Sequence, residues 1–69
     1  MESKAVEQMD RIRKSIGEIM AIIERRGQIS LGDADSIAAR HGADMQNILF
    51  EMAVRCHIDY KSGVIRCRP

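Results

Sequence analysis

Ala5, Met9, Ile12, Ile16, Ile19 and Ile23 recur at alternating steps of four and three residues, a spacing that aligns all six along one face of a helix. Met20 and Ile22 widen this stripe in its second half. A helix with one apolar face is unstable alone in water, so the rest of the 69-residue chain has to cover it. The broad half, Ile16 to Ile23, is expected to pack into a core. The narrow half is flanked by Asp10, Arg11, Arg13 and Lys14, and is expected to protrude and pair with a second copy through Ala5, Met9 and Ile12. Gly27 closes the helix, with Arg25 and Arg26 in the last turn, where cations suit the helix dipole.

Beyond Gly27 the apolar pattern shortens. Gln28-Ile29-Ser30 reads as a brief extended stretch, and Ser30 is placed to cap a second helix whose inner face is Leu31, Ala34, Ile37 and Ala38. Gly42 stops that helix and Asp44 caps a third. The inner face of the third helix is Met45, Ile48, Leu49, Met52 and Cys56. Two short strand-like runs follow, joined by Lys61-Ser62-Gly63, with Gly63 suited to a hairpin bulge. The expected bounds are 4–26, 31–41 and 44–56 for the helices and 58–67 for the hairpin. The whole chain, 1–69, then forms one domain, with 1–15 protruding and 16–68 as the core unit.

A core of this size rarely supplies more than about 3–5 kcal/mol unaided, which strengthens the expectation of a homodimer. No apolar run reaches the roughly 20 residues that a membrane-spanning helix requires. The segment Met1–Asp10 lacks the apolar centre of a signal peptide, so the cytoplasm is the expected compartment. Two cysteines, Cys56 and Cys67, are too few for a disulfide scaffold and read as a reduced pair, with a redox-sensitive pair as the sharper alternative. The net charge of +1 is small for a nucleic-acid binder, whose affinity rests largely on phosphate neutralisation.

The stretch from Ser30 to Asp44 resembles the winged-helix superfamily at the positions that define its turn. Ala34 stands at the small-residue position, Ile37-Ala38 at the apolar-small pair, Gly42 at the turn glycine, and Asp44 at the cap of the groove-reading helix. His41 departs from the aliphatic residue usual there. The resemblance covers roughly Ile16 to Arg68 and implies an α+β fold: helix, strand, helix, helix, strand, strand, with the last two as the wing. It also implies, by position, that Gln46, Asn47, Phe50 and Val54 face a partner.

If the partner is duplex DNA, Gln46 and Asn47 suit adenine edges, while Arg40, Arg55, Lys61, Arg66 and Arg68 would hold the backbone. A small transcriptional regulator is the leading expectation. The rival is a protein-docking module in which Phe50 and Val54, beside Asn47, form an apolar patch near Asp44 and Glu51. With only two aromatic residues, stacking on single strands or RNA is not expected.

Catalysis and cofactors are not expected. Cys56, His57 and Cys67 lack the paired short spacing of zinc or iron–sulfur ligands. His41 reads as a helix-terminal cation. No nucleophile motif or glycine-rich phosphate loop is present, and the chain offers little room for a small-molecule pocket.

Overall fold

The computed structural model describes residues 4–67, with side chains from 6 to 67. Its elements are α1 (Lys4–Arg26), β1 (Ile29–Ser30), α2 (Leu31–His41), α3 (Met45–Met52), β2 (Cys56–Asp59) and β3 (Val64–Cys67). This order is the winged helix-turn-helix arrangement, mainly helical with a long first helix. The strands form one antiparallel sheet in the order β1-β3-β2, so β3 is central and β2 is an edge.

Local chemistry sets the boundaries. The Ser30 Oγ accepts the Asp33 N–H at 3.0 Å, satisfying one of the free donors at the start of α2. At its end Gly42 adopts φ 70°, and the Ala43 N–H reaches back to the Ala38 carbonyl at 2.8 Å. That six-to-one bond turns the chain sharply enough to start α3 three residues later. Asp44 Oδ1 then accepts the Gln46 N–H at 3.0 Å.

Ile19, Ile23, Ile29, Ala34, Ile37, Ala38, Ile48, Met52 and Ile65 form one buried cluster, drawing on every element except β2. Each buried isoleucine or methionine of this cluster contributes about 1.5–3 kcal/mol of transfer free energy. Ile16, Met20 and Ile22 pack partly against the cluster, and so does Ile12. Before Ile12, the described side chains of α1 from Val6 to Arg11 are all exposed.

Three expectations are corrected. The third helix ends at Met52, not at 56, and the wing begins at Cys56, two residues earlier than 58. Cys56 matches the inner-face period of α3 equally well as a strand residue facing inward. Pairing with β3 decides the matter, because Cys56 lies opposite Cys67 and Ile58 opposite Ile65. The reduced-pair reading is also overturned: Cys56 and Cys67 are joined by a disulfide across the wing.

Candidate docking surface on the third helix and the wing

With Ile48 and Met52 turned into the core, the helical period sends Gln46, Asn47, Phe50 and Glu51 outward. Val54 follows in the turn after α3. Phe50 is 77% exposed and Val54 85%, unusual values for large apolar side chains. Tyr60, at the start of the wing turn, is 69% exposed. Gln46, Leu49, Phe50, Ala53, Ile58 and Tyr60 line a groove between α3 and β2. The chain's one phenylalanine and one tyrosine therefore share a single depression. No lysine or arginine lies on α3, whose only charges are Glu51 and the capping Asp44.

The residues expected at DNA are distributed differently. Gln46 and Asn47 occupy the exposed first turn of α3, as anticipated. Arg55 and Arg66 come together with His57 around a second depression, which Val54, Cys56 and Cys67 also line. There the Arg66 Nε donates to Gln28 Oε1 at 3.1 Å. Lys61 sits apart from these arginines, in the turn that joins β2 to β3. Its backbone N–H, with that of Ser62, donates to Asp59 Oδ1. Bonding from Ser62 is the main reason the Asp59 carboxyl lies below its ordinary value. Arg40 points back towards α1, where its guanidinium is bonded to the Glu18 carboxylate. Arg68 lies outside the described residues.

Of the expected dimer seam, Met9 is about half exposed, beside an exposed Val6. Ile12 packs against the domain's own core, and the Ala5 side chain lies outside the described residues. Among the described residues, no group of three His, Cys, Asp or Glu side chains is placed to hold a metal ion, and no helix is long and apolar enough to cross a membrane.

Three participants escape a reading of the sequence. Ser15 is fully buried, its Oγ–H donating to the Arg11 carbonyl at 2.8 Å. Its signal was position, three residues after Ile12 and four before Ile19, masked by a polar side chain. Glu18 carried no signal, since its partners lie on another helix. Tyr60 could have been found only by knowing that the hairpin folds beside α3.

Comparison with protein families, with characterised proteins and with solved structures finds no match to this chain. The side chains of this surface are therefore the basis for a functional reading.

Proposed function

We propose that the chain is a non-catalytic docking module that binds another polypeptide through the groove between α3 and the wing. The observation that carries this reading is the clustering of Phe50, Tyr60, Leu49, Ala53 and Ile58 in one exposed depression. Contiguous exposed apolar surface on a small domain marks a contact site, and aromatic residues dominate such contacts energetically. The charge pattern agrees, because a helix that enters the major groove works beside phosphates, and α3 carries acids only. A cytoplasmic site of action belongs to this proposal only if the Cys56–Cys67 bond is transient, because cytosolic thiols are kept reduced.

The test uses peptides selected against the full chain from a random displayed library. Phe50→Ala is expected to weaken the selected peptides by at least about ten-fold, the scale of an interface hot spot, with Arg66→Ala neutral. Peptides indifferent to Phe50 would remove the proposal.

One observation favours a second reading, duplex DNA binding by a small regulator: Arg55, His57 and Arg66 surround one depression near the C-terminal end of α3. On that reading a labelled random duplex binds saturably. Arg55→Ala and Arg66→Ala then each reduce the salt dependence, and Asn47→Ala relaxes base preference.

A further inference from the structure

The geometry points to a second copy of this chain as the occupant of the groove, joined by antiparallel pairing of β2 with β2 of the copy. This rests on the docking reading and specifies its partner.

The edge of the sheet supplies the first argument. Among the described residues β2 pairs with β3 alone, and its other side borders the apolar groove. Two observations show which backbone groups face outward. The Gly63 N–H donates to the Asp59 carbonyl at 2.8 Å, so Asp59 turns its backbone towards β3. Cys56 and Cys67 are opposed with Cα atoms 4.0 Å apart, near the roughly 4.5 Å of a pair that exchanges no backbone bonds. Alternation then directs the N–H and C=O of Ile58 to the open edge. A strand edge bearing neither proline nor lysine is a template for another strand.

Donor–acceptor complementarity selects the register. Antiparallel pairing about a two-fold axis at Ile58 lets the two Ile58 residues exchange both backbone bonds. It also places His57 opposite Asp59 of the copy, twice. By alternation both residues belong to the outer face of the sheet, where Arg66 is the cross-strand neighbour of His57 and one oxygen of the Asp59 carboxylate already accepts from its own turn. Centring the pair on His57 sets histidine against histidine, and centring it on Asp59 sets carboxylate against carboxylate. An imidazole N–H facing a carboxylate can donate to it, whereas like groups gain no such bond and two carboxylates repel across strands. On the inner face, the Ile58 register brings Tyr60 of each chain next to Cys56 of the other, over the groove lined by Phe50 and Ala53. One arrangement thus satisfies the open edge, sets a donor against each carboxylate and covers the exposed aromatics.

Sedimentation of the full chain across a concentration series tests it. A dimer is expected whose dissociation constant rises at least about ten-fold in His57→Glu, since two carboxylate pairs then face each other. Within one chain the new carboxylate still lies beside Arg66, so the fold is retained, which circular dichroism checks. His57→Lys and the double variant Val6→Glu/Met9→Glu are expected to keep the dimer. The Ile58 amide should exchange slowly with solvent only at concentrations where the dimer is populated. A monomer at every concentration overturns the inference while leaving the peptide-docking result standing. A dimer indifferent to His57→Glu, or dissolved by the Val6/Met9 substitutions, overturns it too.

Discussion

The His41 Nε2–H donates to the Glu18 carboxylate at 2.9 Å, binding the last residue of α2 to the middle of α1. Arg40 takes the other oxygen of the same carboxylate. A carboxylate only accepts, so this nitrogen must carry the proton. The pairing gives a local reason for a histidine at a position where the resembled fold carries an aliphatic residue. It also diverts Arg40 from the surface where a phosphate contact was anticipated.

Glu18 titrates below its ordinary value of 4.5, first because of the His41 hydrogen bond and then because of Arg40. A carboxyl depressed in the folded state contributes stability that is fully present above its unfolded pKa and lost as pH falls through the folded one. Glu18→Gln is therefore expected to be less stable than the parent at neutral pH, with the gap narrowing once pH drops below about 4.5. Urea unfolding at pH 7 and pH 3 checks this. A gap that is unchanged or wider at pH 3 would show that the carboxylate's charge is not what matters.

The disulfide closes a loop between positions eleven residues apart. Chain-entropy reasoning assigns a bridge over a loop of this order about 3 kcal/mol, comparable to everything a core of this size supplies. Reduction, or Cys56→Ser with Cys67→Ser, is expected to lower unfolding stability by about 2–3 kcal/mol. Superimposable denaturation curves with and without a thiol reductant would contradict it.

How much of this was legible in the sequence depends on how local each signal is. The caps at Ser30 and Asp44 and the left-handed glycines are written within a few residues of where they act, and their geometry matches expectation. The end of α3 was misplaced because an inward cysteine fits the helical period and an inward strand position alike, and only pairing with β3 distinguishes them. The outward Phe50 and Val54 were readable as the face opposite Ile48 and Met52. The junction of Phe50 with Tyr60 and Ile58 was not, because it depends on how the wing packs against α3, and Val54 lines the other depression. The arginines were legible as a group and not as individuals. Whether one meets a phosphate or a glutamate depends on residues over twenty positions away, as between Arg40 and Glu18.

Glycines at helix ends and in helix interiors should respond oppositely to alanine. Gly42 sits at φ 70°, and an added Cβ would make only ordinary contact with Arg11, at 3.6 Å. The expected cost of Gly42→Ala is therefore conformational, about 1–2 kcal/mol. Gly17 lies inside α1 with nothing near its missing Cβ. Gly17→Ala should gain about 0.8–1 kcal/mol from helix propensity, raising the melting temperature by several degrees. Thermal unfolding of both variants measures this, and equal shifts in one direction would refute the conformational explanation.

The inner and outer faces of α3 should separate stability from binding. Ile48 has no exposed surface and lies in the core cluster, so Ile48→Ala removes buried methyl groups and leaves a cavity, at an expected cost of about 2–5 kcal/mol. Phe50, two residues on and mostly exposed, should change stability by less than about 0.5 kcal/mol on truncation to alanine in the monomer. Because association adds to apparent stability in proportion to how far concentration exceeds the dissociation constant, the Phe50→Ala penalty should grow with protein concentration if this face is covered by a second chain. The Ile48→Ala penalty should not follow the same trend. Melting curves at low and high micromolar concentration decide between the alternatives. A Phe50→Ala effect that is large and independent of concentration would mean that the ring supports its own domain and is not held out for a partner.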